Sequence, residues 1–232
     1  MLRRSDQVKV EGNQFLSVQT IRALLPIQYP QSIFRTQPGT IVETLKQKAP
    51  IIDATVDRQI FPPSLTVRIR ERTPVAQLVD PDIAKAPKDK AVSGHDLLDE
   101  SGVVIPIESL NALNQTLKLP GLRILGRIET IRPQWLGCYQ FLRNSPVRIQ
   151  QIDWRNPTNL VVTGETGTVH LGAYNPAEFP RQLRAMDGMR RIGEKIPKEQ
   201  IDYIDLRNPD KPAIHQIANR SAEKNLEKNN AP

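Results

Sequence analysis

The stretch Ala54–Leu78, ATVDRQIFPPSLTVRIRERTPVAQL, constrains the fold more than any other part of this 232-residue chain. Val56, Leu65, Val67 and Ile69 alternate with Thr55, Thr66, Arg68 and Arg70, the period expected of half-buried strands. Phe61-Pro62-Pro63-Ser64 interrupts the pattern with two residues that donate no backbone hydrogen bond, so it is the connection. The expectation is a hairpin with strands near Ala54–Gln59 and Leu65–Arg72. Glu71-Arg72-Thr73-Pro74 closes this unit, because proline stops pairing and extends the residue before it. Val75–Val79 opens the next unit with almost no linker.

Upstream, Val8–Glu11 alternates and ends at Gly12-Asn13, which predicts a short strand and a turn. Ser17 is placed to cap a helix running to Leu25, with Val18, Ile21, Leu24 and Leu25 on one face. Thr40 and Glu43 have the spacing of a capping box and predict a helix over 41–48, stopped by Pro50. The order is β-α-α-β-β.

Asp80–Asp96 is charged and aperiodic, which predicts an exposed loop. Two short strands around Gly102 follow, then a helix over Ser109–Lys118 and another over Pro133–Asn144, with Trp135, Leu136, Tyr139 and Leu142 inward. Val147–Trp154, Leu160–Thr163 and Thr168–Leu171 read as a meander. Asn175-Pro176-Ala177-Glu178 predicts a helix start, with Phe179, Leu183, Met186 and Met189 buried. Ile201–Arg207 is a strand, Asn208–Pro212 a turn, and Ala213–Gln216 a last short strand. With 20 prolines and 12 glycines, the chain has many short elements, which favours α+β over a helical bundle.

The net charge of +7 is uneven: residues 1–79 carry 11 Lys/Arg against 6 Asp/Glu. Such an excess suits nucleic acid, anionic headgroups or an acidic partner. No run reaches the roughly 18–20 apolar residues that span a bilayer. Catalytic chemistry has little footing. Neither G-x-G-x-x-G nor G-x-x-x-x-G-K occurs, and His95, His170 and His215 lack neighbours at metal-ligand spacing. His95-Asp96 with Asp99 and Glu100 reads as a solvated rim, and the single cysteine, Cys138, as packing.

In their order, Val10-Glu11-Gly12-Asn13, Leu16-Ser17, Ile52-Asp53-Ala54, Phe61-Pro62-Pro63 and Glu71-Arg72-Thr73-Pro74-Val75-Ala76 resemble the FtsQ-type POTRA domain. Leu98-Asp99-Glu100-Ser101-Gly102-Val103, Leu119-Pro120-Gly121-Leu122, Leu171-Gly172 and Tyr203-Ile204-Asp205-Leu206-Arg207 are similar to the β domain of the FtsQ/DivIB bacterial division proteins. The resemblance assigns residues 6–74 to a POTRA domain and 75–217 to a β-rich domain with helices packed on one side. Residues 218–232, rich in Asn, Lys, Glu and Ala, are left as a disordered tail.

The resemblance implies a non-enzymatic divisome scaffold without cofactor, metal, small-molecule substrate or nucleic acid. Its partners would be the FtsB/FtsL coiled-coil pair and other divisome proteins, and it would help recruit or regulate septal peptidoglycan synthesis. It also implies a single N-terminal anchor helix in the full-length protein, with this chain on the periplasmic side of the inner membrane at the septum. Arg58, Arg68, Arg70 and Arg72 would then form a basic face toward anionic headgroups.

In the family a partner adds a strand to the last edge of the β domain. Tyr203, Asp205, Arg207, Asn208, Ile214 and Gln216 occupy that position here. Asn208 stands where members carry an aromatic, and Pro209 and Pro212 donate no ladder bond, which shortens the edge or shifts it onto Ala213–Gln216. Two other readings remain: a POTRA-bearing factor of outer-membrane protein transport or assembly, and a basic nucleic-acid-binding module built on the same arginines.

Overall fold

The alternation in the first third of the chain becomes a three-stranded sheet, and its register decides which side chains meet helices and which meet water. The computed structural model describes residues 1–79, 96–111, 119–190 and 200–217. Strand β1 (Val8–Glu11) pairs parallel with β3 (Ser64–Glu71), which pairs antiparallel with β2 (Ile51–Gln59). Leu65, Val67 and Ile69 face inward with Val8 and Ala54 beneath helices α1 (Val18–Leu24) and α2 (Pro38–Lys46), which supply Ile21, Ile41 and Leu45. The order β1-α1-α2-β2-β3 is the one expected.

Local chemistry explains the ends of these elements. Ser17 Oγ accepts from the Thr20 N–H at 3.0 Å, which caps α1. Gly12 takes φ +83°, and a Cβ there would lie 2.3 Å from the Ile69 carbonyl oxygen. The capping box expected at Thr40 and Glu43 does not form. Helix α2 starts earlier, with Gln37 as N-cap and Pro38 in the first turn, so Thr40 is already helical and its hydroxyl donates to Gln37 Oε1. A proline whose φ is preset for the helix and whose N–H is absent is well suited to that first turn.

By contact the chain separates into two units, Met1–Gly121 and Leu122–Pro232. In the first unit the sheet changes at Arg72-Thr73. Strand β4 (Pro74–Val79) pairs antiparallel with β5 (Asp96–Asp99), which pairs with β6 (Val104–Ile105). Leu97, Ile105 and Leu110 share one apolar cluster with Leu16, Ile21 and Leu65. The loop residues before Asp96, His95 among them, and most of the helix expected over 109–118 lie outside the described residues. So does the tail from 218. Helix α3 covers Glu108–Asn111.

The second unit arranges its strands in the order β12-β11-β10-β9-β8-β7. These are β7 (Arg123–Leu125), β8 (Ile149–Asp153), β9 (Leu160–Gly164), β10 (Gly167–Gly172), β11 (Ile201–Asp205) and β12 (Ala213–Gln216). Helix α4 (Ile128–Arg143) begins five residues before the expected Pro133 and keeps that proline inside it. Its inward row is Ile131, Trp135 and Cys138, whereas Leu136 is 49% exposed, contrary to expectation. The earlier start adds Ile131 at i−4 from Trp135, which fixes the buried stripe on that side.

Helix α5 (Phe179–Gly188) begins later than expected. Asn175 instead closes a separate turn: its side chain accepts from the Ala177 N–H, and its carbonyl accepts from Glu178 and Phe179. The predicted inward row Phe179, Leu183, Met186 and Met189 is buried. It also contains Gln182, 4% exposed, whose Nε2 donates to the carbonyls of Leu171 (2.8 Å) and Leu206 (2.9 Å). This carboxamide satisfies carbonyls at the ends of both β10 and β11. Gln182→Leu keeps the volume and removes both donors, so it is expected to cost about 2–3 kcal/mol in chemical denaturation, since each orphaned buried acceptor carries its desolvation cost. A loss below about 0.5 kcal/mol would show that the two carbonyls find other donors.

Candidate functional site

Strand β12 ends the strand order of the second unit. It pairs antiparallel with β11 through Ile201↔Gln216, Tyr203↔His215, Ile204↔Ile214 and Asp205↔Ala213. The Ile217 N–H donates to the Gln200 carbonyl at 2.9 Å, that is, toward β11. Backbone direction alternates along a strand, so His215 and Ala213 also turn inward, and Ile214 and Gln216 present N–H and C=O on the outer side. Among the described residues no strand occupies that side.

The edge has two chemically different faces. On one, Ile214 is half-buried opposite the buried Ile204. On the other, three rings form a ladder across three strands: His170 and Tyr203 have centroids 4.4 Å apart, and Tyr203 and His215 lie 4.3 Å apart with 12° between their planes. Asn159 Nδ2 lies 3.0 Å from His170 Nδ1 at the inner end of the ladder. His215 is the last ring and is exposed.

The other expected edge residues serve the turn that leads to β12. Asp205 accepts from the Arg207 N–H at 3.0 Å and from its guanidinium. That bonding holds the Asp205 carboxyl below its ordinary value and raises Arg207. Asn208 Oδ1 accepts from the Asp210 N–H (3.1 Å), and the Asn208 carbonyl accepts from Lys211 (3.1 Å). Tyr203, Ile214 and Gln216 thus lie on the edge pair itself, while Asp205, Arg207 and Asn208 shape its approach.

The same construction occurs earlier in the chain. Ile149, Ile152, Asp153, Arg155, Asn156 and Pro157 recur as Ile201, Ile204, Asp205, Arg207, Asn208 and Pro209. Asp153 accepts from the Arg155 N–H and guanidinium, and Asn156 Oδ1 accepts from Thr158. Strand β8 pairs with β9 through Ile149↔Gly164, Gln151↔Thr163, Ile152↔Val162 and Asp153↔Val161, with a bulge at the position where β11 carries one. Strand β8 is parallel to β7 as β11 is parallel to β10, and a helix lies between each parallel pair. The unit is two β-α-β-β repeats, and β12 is the counterpart of β9. The outer side of β9 carries β10, paired antiparallel from Gly164↔Gly167 through Val162↔Val169 to Val161↔His170. The repeated Ile-x-x-Ile-Asp-x-Arg-Asn-Pro was visible in the sequence. The His170–Tyr203–His215 ladder, which joins three strands, has no local signal there.

The four arginines of the expected basic face do not share one face. Arg68 and Arg70 lie on the outward row of β3, level with Thr55 and Asp53 of β2. Arg58 is level with Leu65 on the opposite, helix-covered side, where its Nη1 donates to the Thr36 carbonyl at 3.1 Å. Arg72 leaves the sheet and pairs with Asp99 at 2.7 Å. On the outward row Arg68 binds Glu11 and Asp57, so positive and negative charges are interspersed there. Cys138 is fully buried on α4, and burial pushes its thiol well up. No group of three His, Cys, Asp or Glu side chains among the described residues is placed to hold a metal ion.

Residues 3–72 match the family of POTRA domains of the FtsQ type, the segment that folds as β1-α1-α2-β2-β3. Over 210 residues the chain is 26% identical to the cell division protein FtsQ of Salinibacter ruber, an alignment covering 87% of this chain and 78% of that protein.

Proposed function

From the premise that this chain is an FtsQ/DivIB-like protein with an FtsQ-type POTRA domain, we propose that it serves bacterial cell division as a non-enzymatic scaffold. Its outer β12 edge takes one strand from a coiled-coil division protein of the FtsB/FtsL kind. Through that partner it helps recruit or regulate septal peptidoglycan synthesis. Its place is the periplasmic side of the inner membrane at the septum. No helix among the described residues is long and apolar enough to cross a membrane. The division into a POTRA domain over 6–74 and a β domain over 75–217 is part of the same proposal; the change of sheet between Glu71 and Pro74 supports it, whereas by contact β4, β5 and β6 group with the first unit.

One observation carries the proposal of the edge. Strand β12 repeats β9 pair for pair, yet the place that β10 fills beside β9 is vacant beside β12 among the described residues. An added strand needs little side-chain chemistry, because the outward N–H and C=O groups of Ile214 and Gln216 bind main chain. The half-buried Ile214 and the exposed ring of His215 then select what lies alongside.

Ile214→Pro removes an outward donor and leaves the inward ladder of Ala213, His215 and Ile217 in place. Affinity for the soluble domain of the coiled-coil partner, measured by calorimetry, is expected to fall about tenfold or more, since a lost donor leaves a partner carbonyl unpaired. The thermal midpoint should move little. Unchanged affinity in a folded variant would remove β12 as the site.

A further inference from the structure

The two most exposed large apolar side chains among the described residues are Phe61, at 91%, and Phe34, at 72%. They and Ile60, at 60%, lie at one end of the β1-β3-β2 sheet. Register brings them there. Val8 is level with Leu65, so β1 begins beside the start of β3, and Gln59 is level with Ser64, so the β2–β3 tip projects at that same end. Gln7 Nε2 donates to the Pro63 carbonyl at 3.1 Å, which ties the first residues to the tip. Leu2 and Gln31 exchange two backbone hydrogen bonds, and Arg58 reaches the Thr36 carbonyl, which brings the loop carrying Phe34 alongside.

The charge at this end is mainly positive. Arg3, Arg4, Arg35 and Arg58 are all exposed, and the acid among them, Asp6, is paired with Arg4. The outward row of the same sheet is different, since there Lys9, Arg68 and Arg70 stand among Glu11, Asp53 and Asp57. The surplus of the basic first third is thus gathered where the apolar tips project.

We propose that this end of the sheet is a membrane-contact surface, with Phe34, Ile60 and Phe61 entering the headgroup–acyl boundary and Arg3, Arg4, Arg35 and Arg58 meeting lipid phosphates. Shape and charge select this occupant. The apolar side chains stand exposed on turns, and a deformable interface receives such a turn without a matching pocket. Apolar tips rimmed by arginines are the pattern that anionic lipid surfaces hold. The surface is separate from the β12 edge, so either can fail without the other.

The test is co-flotation of the chain with vesicles of phosphatidylcholine alone or with about one third phosphatidylglycerol. The protein is expected to float with the anionic vesicles only, and less as salt rises. Phe61→Ser and Phe34→Ser should each reduce binding about fivefold or more. Arg35→Glu should reduce it similarly, whereas Arg70→Glu, on the mixed outward row, should change it less than twofold. In Phe61→Trp the new fluorophore should shift to the blue on adding anionic vesicles. Absence of flotation, flotation indifferent to Phe61 and Phe34, or an unshifted spectrum would each overturn the proposal. Self-association lost in Phe61→Ser, without vesicle binding, would also overturn it and give the patch to a second copy of the chain.

Discussion

Asp99→Ala is expected to destabilise the first unit by about 3–5 kcal/mol in chemical denaturation, the cost of breaking a buried ion pair by removing one partner. Asp99 is 4% exposed at the end of β5. Its Oδ2 accepts from Arg72 Nη1 at 2.7 Å, and its Oδ1 accepts from the Ser101 N–H (2.9 Å), the Ser101 hydroxyl (2.8 Å) and the Val103 N–H (2.8 Å). One carboxylate therefore holds the tight turn through Gly102 and anchors the arginine that follows β3. Truncation orphans two backbone donors and leaves the Arg72 guanidinium, whose side chain is 22% exposed, without this partner. Asp99→Asn keeps an acceptor for the turn and gives up the charge, so its loss should be about half as large. Equal losses in the two variants would assign the whole effect to the ion pair. A loss below about 1 kcal/mol in Asp99→Ala would show that water replaces the carboxylate.

This carboxylate also shows where reading the sequence stops. Leu97–Val104 announces two strands and a turn, because glycine next to a polar pair has few other uses. That Asp99 is the acceptor for Arg72, 27 residues away, is a tertiary fact with no local signal. The strand periods of the first sheet were legible for the opposite reason: each inward residue repeats the same demand, and the prolines leave one place for the connection. Helix starts fared worse. Thr40 and Asn175 have capping chemistry, but α2 starts at Pro38, whose preset φ suits a first turn, and Asn175 is used by its own turn with Ala177, so α5 starts at Phe179.

The edge was legible as a strand and not as a repeat. Pattern reading treats each stretch alone, and the kinship of Ile149–Pro157 with Ile201–Pro209 appears only when the two are laid together. Once their registers are compared, Arg207 and Asn208 cease to be special to the edge. Arg155 and Asn156 do the same work in the first copy, where β10 already covers the strand beyond. What distinguishes the second copy is that no strand among the described residues lies beside β12, and an open edge leaves no mark on a sequence.

Glu71→Ala is the second large effect expected, about 3–4 kcal/mol, from two charge-assisted hydrogen bonds lost at a site where water enters poorly. The inward row of β3 runs Leu65, Val67, Ile69 and then Glu71, so the period that fills the core also carries a carboxylate into it. Glu71 is 8% exposed. Its Oε2 accepts from the Phe15 N–H at 2.5 Å and its Oε1 from the Leu16 N–H at 3.1 Å, just before the Ser17 cap of α1. The acid thus satisfies the donors that the chain exposes as it turns from β1 into α1, and it ties the end of β3 to the start of α1. Glu71→Gln keeps one acceptor and turns an amide NH2 toward the other donor, so it should recover less than half of the loss. Hydrogen exchange at the Phe15 and Leu16 amides separates this account from simple loss of packing. Both should exchange faster in either variant, while Ile41 and Leu45 of α2 slow or quicken only with global stability. Unchanged protection at Phe15 and Leu16 in Glu71→Ala would mean that the carboxylate does not hold these amides, and Glu71 would then owe its position on β3 to the strand period alone.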